Sequence, residues 1–349
     1  LSGRTPKGRI DATVVALGGG HGLAVTLRAL AEVVGEPVGV VSMADDGGSS
    51  GRLRAALGVA PPGDVRKCLV ALAEPGSLWA RAFEHRFGAG ELADHALGNL
   101  VLAGLAEVTG SLEQAIGEAG RLLGCAGRVL PATVGPVELS ARVAGGRVEG
   151  QAAVALTRAI HALELRPPDP EVPASVLDAI GRADLVLLGP GSLYTSVLAV
   201  AAVPRIRAAL RQAAAPKVWV ANLAAQVGET EGYDVAAHFD ALRRHEVPVD
   251  GVVVDPAGLP LGTLPAGLDV MRRTLAARDG RAHDPALLGC WVAELLEASL
   301  GSGMERLAET GEHARESLAG LLGRVGGPAR GGSAARGAPE GARGEEDGS

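Results

Sequence analysis

Ala12-Thr13-Val14-Val15-Ala16-Leu17, then Gly18-Gly19-Gly20-His21-Gly22, then Leu23, Leu27 and Leu30, decide how this chain folds. The first six residues form a short apolar, β-branched run suited to a strand buried on both faces. The glycines read as a tight turn, and the leucines recur at helical spacing. Val38 to Ala44 supplies a second strand. Strand, glycine turn, helix and strand make a βαβ unit, the opening of a doubly wound parallel sheet.

Outward from this unit, Pro61-Pro62-Gly63-Asp64 opens a helix through Glu74, and residues 78–87 and 95–124 also read as helices. Arg128 to Ala132 reads as a strand. Val137 to Val143 and Arg147 to Gln151, around Gly145-Gly146, resemble a β-hairpin. A proline-rich stretch, Arg166 to Pro173, reads as a loop. The α/β rhythm resumes with strands at Ala183 to Leu188, Lys217 to Asn222 and Val252 to Val254, and with helices from Tyr194, over Val235 to Arg244 and over Pro285 to Ser299. The expected fold is α/β: a doubly wound, mostly parallel, Rossmann-like sheet with a helical insertion over about 61–125 and a small β-hairpin over about 137–151. Residues 12–300 are expected to form a single domain, 1–11 a flexible start, 301–322 a peripheral helix, and 323–349, rich in Gly, Ala, Arg and Glu, a disordered tail.

Composition narrows the function classes. Hydrophobic residues are 47% of the 349 and aromatics only 2%, so the core must be Val, Leu and Ala, with few platforms for stacking a base or a sugar. A net charge of −7 without a basic block argues against nucleic-acid binding. Cys68, Cys125 and Cys290 are odd in number and have no metal-ligand spacing, which suits free thiols in a reducing compartment. The polar start lacks a signal-peptide core, and no run of about 20 apolar residues predicts a membrane span. A cytoplasmic location is expected.

Six stretches carry chemistry. Gly18 to Gly22 stands at a strand–helix junction, where unpaired amides and the helix dipole favour an anion. It is not a dinucleotide fingerprint, because the last glycine position falls on Leu23. Asp45-Asp46-Gly47-Gly48-Ser49-Ser50-Gly51-Arg52 places two carboxylates, suited to Mg²⁺ or to hydroxyl groups, before small residues suited to a phosphate, with Arg52 or Arg54 to neutralise it. Asp64 reads as a helix cap, whereas Arg66 and Lys67 in the same first turn oppose the dipole. His95 and Asn99 share a helix face. Gly189-Pro190-Gly191-Ser192-Leu193-Tyr194-Thr195 follows a buried strand, where open α/β sheets bind ligands. Asn222, Gln226, Glu229, Thr230 and Tyr233 lie on another loop after a strand. No P-loop occurs.

Gly18–Leu23, Ala44–Gly51, Pro61–Arg66, Leu97–Asn99, Leu188–Ser196 and Gly228–Tyr233, in this order, resemble the bacterial gluconeogenesis factor family, the YvcK-like branch of the YvcK/CofD superfamily. Arg281 to Pro285 is similar to a C-terminal segment of that family. The resemblance spans roughly 10–300 and implies a protein that binds UDP-sugars, notably UDP-N-acetylglucosamine, and supports cell shape and cell-wall precursor supply during gluconeogenic growth, through a regulatory protein partner. On this reading Gly19, Gly20 and Gly22, with Gly191, Ser192 and Thr195, hold the diphosphate. Asp45 and Asp46 hold a metal or the sugar hydroxyls, and Asn222 and Tyr233 meet the uridine or sugar. No cofactor is required beyond optional Mg²⁺, and a homo-oligomer is expected. The sister branch implies the alternative, a Mg²⁺-dependent 2-phospho-L-lactate transferase acting on a deazaflavin, with Asp45, Asp46 and Arg66 at its centre.

Overall fold

β1 (Ile10–Gly18) alternates its side chains between two hydrophobic cores, Val14 and Ala16 in one and Val15 and Leu17 in the other. The computed structural model describes residues 8–58 and 60–308; of the expected segments, 1–7 of the flexible start at 1–11, 309–322 of the peripheral helix at 301–322 and all of the tail at 323–349 lie outside the described residues. β1 begins two residues earlier than the sequence suggests, because Ile10 is also buried.

The main sheet holds β1, β2 (Val34–Val41), β3 (Arg128–Pro131) and four later strands, β7 (Leu185–Leu188), β8 (Lys217–Val220), β9 (Gly251–Val254) and β10 (Asp269–Arg272). Their order is β10-β9-β8-β7-β1-β2-β3, and every pairing is parallel. The chain lays β2 and β3 on one side of β1, then returns to lay β7 to β10 on the other. Loops leaving β1 and β7 therefore diverge at their carboxyl ends and open a crevice.

Helices cover both faces, as a parallel sheet requires. Gly20–Val33, Gly63–Leu72, Leu112–Leu123 and Pro285–Ala308 bury one core, and Ala174–Arg182, Pro204–Gln212 and Val235–Arg244 bury the other. The helical insertion between β2 and β3 is present. No single helix among the described residues is long and apolar enough to cross a membrane.

Several features differ from expectation, β10 and the earlier start of β2 among them. The hairpin of β4 (Glu138–Val143) and β5 (Gly146–Glu149) gains a third antiparallel strand, β6 (Ala162–Arg166), which buries Leu163 and Leu165. A helix starts at Gly48, inside the stretch read as a turn, and runs to Leu57. The helix after β7 opens as a π-helix over Leu193–Leu198. The last helix runs unbroken from Pro285 to Ala308 rather than ending at Ser299.

Candidate ligand-binding cleft

The β1 loop and the β7 loop touch at Gly22. A Cβ placed there would lie 1.8 Å from the Pro190 carbonyl oxygen, so only glycine permits the approach. Asn222, after β8, donates through Nδ2 to the Gly191 carbonyl oxygen at 2.8 Å and ties a third loop to the pair. Around this junction lies a cleft of about 540 Å³ lined by Gly19 to Gly22, Asp45, Asp64, Lys67, Gly191, Ser192, Asn222, Gln226 and the segment Arg281 to His283.

Among the described residues, the amides of His21 and Gly22, in the first turn of the helix Gly20–Val33, have no acceptor, and neither do those of Gly191 and Ser192. Four unpaired amides on facing loops favour an anion. The Gly20 amide is already taken: it donates to Asp64 Oδ2 at 2.7 Å, and Lys67 Nζ lies 2.9 Å from Asp64 Oδ1. Desolvation, then the Lys67 charge, holds the His21 imidazole below its usual range, so it is neutral near pH 7. Burial, then the nearby Asp64 charge, raises the Asp45 carboxyl above the usual carboxylate range. A cation beside Asp45 would relieve both effects.

Much of the second stretch is used internally. Asp46 accepts from the amides of Gln151 (2.7 Å) and Ala152 (2.9 Å), capping the short helix Gln151–Ala155, and it faces away from this cleft. Buried Ser49 is bonded to His95 Nδ1 and to Asn99 Nδ2, each at 3.0 Å. Ser50 Oγ accepts from the Gly63 amide, and Arg52 donates to the Ala93 carbonyl oxygen. Gly47 donates to Asp45 Oδ1 at 3.1 Å, which shapes the turn before Gly48. Arg66 is buried, donating to the Phe83 carbonyl oxygen at 3.5 Å, and burial lowers its pKa. These contacts fasten the helical insertion to the end of β2 rather than lining the cleft.

Glu229 closes off the second helix start. Its Oε2 accepts from the Thr195 amide (3.2 Å) and Thr195 Oγ1 (3.0 Å), and the Leu193 and Tyr194 amides also face the carboxylate. Burial pushes its pKa up to about 7 despite these bonds. Thr195 is therefore occupied by a protein carboxylate. Tyr194 is buried and bonded to the Tyr233 hydroxyl at 3.1 Å, and Thr230 accepts from the Gln226 amide; these residues and Gly189 support the cleft from beneath.

Lys67, Ser196, Gln151, Arg281 and His283 line the cleft without having been singled out as ligand contacts. Lys67 had a signal, its charge at the wrong end of a helix. Arg281 and His283 had only their likeness to a C-terminal segment of the family, which does not place them over the cleft. They reach the cleft because Asp255, at the end of β9, accepts from the Leu275 and Ala276 amides and folds that segment back.

A doubly wound α/β protein with a crevice of free amides at the switch point of its sheet is the class that this fold and cleft define. The family model described as 2-phospho-L-lactate transferase CofD matches residues 14–266. The gluconeogenesis factor of Bacillus subtilis (strain 168) is 39% identical over 263 residues, covering 74% of this chain and 81% of that protein. A Mycobacterium tuberculosis protein (strain CDC 1551 / Oshkosh), provisionally given the same name, is 40% identical over 326 residues, covering 86% and 94%. A crystal structure of a upf0052 family member from Bacillus halodurans superposes with a TM-score of 0.75 at 34% identity, covering 81% of this chain and 99% of that one. The chain belongs to the CofD family and, within it, to the gluconeogenesis factors.

Proposed function

We propose that this protein binds a UDP-sugar, UDP-N-acetylglucosamine, without consuming it, and that the bound state regulates a protein partner in cell-wall precursor supply and cell shape during gluconeogenic growth. The observation that carries the reading is the meeting of the unpaired amides of His21, Gly22, Gly191 and Ser192 in one cleft with Lys67 and Arg281. Amides and two cations suit a diphosphate, whose two phosphates need donors on both sides. No Phe, Tyr or Trp is in the lining, which suits a small pyrimidine better than a broad ring system. A magnesium ion fits through Asp45 together with the ligand's phosphates, since magnesium uses one or two carboxylates plus substrate oxygens. Asp46 is left out of this set because it does not line the cleft. A thermal-shift panel tests the reading: UDP-N-acetylglucosamine and UDP raise the melting temperature, and a panel in which neither does so rejects it.

A second reading, a 2-phospho-L-lactate transferase, is favoured by the name of the family model and its span over residues 14–266. In that case Asp45 and Asp64 flank the transferred group and Lys67 offsets its charge. Incubation with a nucleotide-activated 2-phospholactate, a deazaflavin and Mg²⁺ separates the two: a phospholactylated deazaflavin supports the transferase, and an unchanged acceptor supports the binder.

A further inference from the structure

Three walls of the cleft are tied together by Glu229, a buried residue that does not line it. The first wall is the loop after β8, on which Glu229 itself lies. Asn222 and Gln226 line the cleft from that loop. The Gln226 amide donates to Thr230 Oγ1 at 2.9 Å, and the Thr230 amide donates back to the Gln226 carbonyl oxygen at 3.4 Å. The second wall is the short helix Gln151–Ala155, whose Gln151 lines the cleft. The Glu229 amide donates to the Ala155 carbonyl oxygen at 3.2 Å. Gly228, with φ of +94°, permits that approach, because a Cβ there would lie 2.4 Å from the same oxygen. The third wall is the turn after β7. Glu229 Oε2 holds Thr195 through its amide and its hydroxyl, and the Ser196 and Val197 amides donate to the Ser192 carbonyl oxygen at 3.1 and 3.0 Å. The turn that carries Gly191 and Ser192 is thus fastened from the Thr195 side.

A purely structural tie needs no ionisable group here. Glu229 is 0% exposed, and among the described residues its Oε1 has no hydrogen-bond partner. Burial favours the neutral carboxyl, the donors of Thr195, Tyr194 and Leu193 favour the charged one, and the balance falls at about 7. Tyr194, bonded to the Tyr233 hydroxyl and to Arg244, is the titratable side chain beside it, and the Arg158–Glu231 ion pair is exposed on the same side of the fold. We propose that Glu229 is a positioning residue of the cleft, whose carboxyl group holds the Gly191 and Ser192 amides in place and couples anion binding there to uptake of one proton from solvent, an inference that rests on the reading of the cleft as a diphosphate site. A second negative charge on those amides disfavours the carboxylate, so ligand and proton favour each other. Affinity is therefore highest below the range in which Glu229 titrates and falls as pH rises through about 7.

The test uses the full chain without Mg²⁺ and UDP-N-acetylglucosamine, whose diphosphate is esterified at both ends and takes up no proton itself near neutral pH. Calorimetric titrations in two buffers of different ionisation enthalpy read affinity and proton uptake together. From about pH 6 to about pH 8, wild-type affinity falls about fivefold more than that of Glu229→Gln, and at about pH 7 the wild type takes up about half a proton more on binding. Glu229→Gln keeps an acceptor for Thr195, and any share of His21, His283 and Asp45, which line the cleft, stays in both proteins. Thr195→Val removes one donor to the charged carboxylate and moves the midpoint of the pH profile upward, which a purely structural tie does not do. Without ligand, hydrogen exchange of the stretch 189–197, corrected for the intrinsic rate, loses protection as pH rises through neutrality in the wild type and not in Glu229→Gln. Equal pH dependence and equal proton uptake in the wild type and Glu229→Gln overturn the proposal, as does an unmoved midpoint in Thr195→Val. A wild type that binds no UDP-N-acetylglucosamine at any pH rejects the diphosphate reading instead, and the exchange measurement then decides whether Glu229 holds the turn.

Discussion

Replacing Gly22 by alanine attacks the contact on which the cleft is built. The new Cβ would stand 1.8 Å from the Pro190 carbonyl oxygen and 2.6 Å from its carbon, against a minimum of 3.0 Å for real Cβ atoms, so the two loops must part by at least about 1.2 Å. Neither loop is free to move. Leu17 pairs with Leu188 in the sheet, Gly189 donates to the Leu17 carbonyl oxygen at 3.0 Å, and Asn222 holds Gly191. Overpacking in a rigid setting costs about 3 kcal/mol, the upper part of the usual range. For a chain of this size that lowers the melting temperature by about 4 °C. The separation also splits the two pairs of amides, and losing two bonds to a charged phosphate weakens UDP binding at least about 100-fold. Gly117, in the helix Leu112–Leu123, is the control: a Cβ there meets nothing within 4 Å, so Gly117→Ala should stabilise by about 1 kcal/mol. Circular dichroism melts and calorimetric titration read both effects. A Gly22→Ala protein that melts and binds like the wild type would refute the reasoning.

Other expectations follow from single contacts. Glu229 titrates near 7 in the folded chain against 4.5 when exposed, so about 3 kcal/mol of stability present at acid pH is lost as pH rises from about 4.5 through about 7. Glu229→Gln flattens that part of the stability–pH curve, and a variant curve parallel to the wild type rejects the assignment. Lys67→Ala removes a cation of the cleft that pairs with Asp64, so UDP binding weakens about tenfold while stability changes by less than about 1 kcal/mol; unchanged affinity in low salt contradicts this. Asp45→Asn abolishes the Mg²⁺-dependent part of UDP binding. Asp46→Ala lowers stability by about 1–2 kcal/mol, through the lost helix cap, and leaves UDP binding intact; the reverse pattern would exchange the roles of the two carboxylates.

The centre of the fold was legible because a strand buried on both faces is a continuous apolar run. Val14 to Leu17 and Leu185 to Leu188 stand out for that reason. β6 shows only Leu163 and Leu165 before a proline stretch, and β10 is a partly exposed edge strand, so neither carries a pattern. Of the glycine and polar residues that follow β1, β2, β7 and β8, Gly19 to Gly22, Asp45, Gly191, Ser192, Asn222 and Gln226 line the cleft. The same residue types elsewhere bond inside the protein: Ser49 to His95 and Asn99, Asp46 to the Gln151 and Ala152 amides, and Glu229 to Thr195. Sequence does not distinguish a polar group that faces a ligand from one that caps a helix. Nor does it show that Asp255 folds Arg281 and His283 back to a cleft formed by much earlier loops.

The central claim is that the crevice between the β1 and β7 loops holds a nucleotide sugar and leaves it intact. The most direct measurement is a calorimetric titration of the protein with UDP-N-acetylglucosamine, with and without Mg²⁺, followed by mass spectrometry of the recovered ligand. Saturable binding at one site per chain, with the ligand returned unchanged, is the predicted result. No binding under either condition, or a ligand returned cleaved or transferred, would contradict the account.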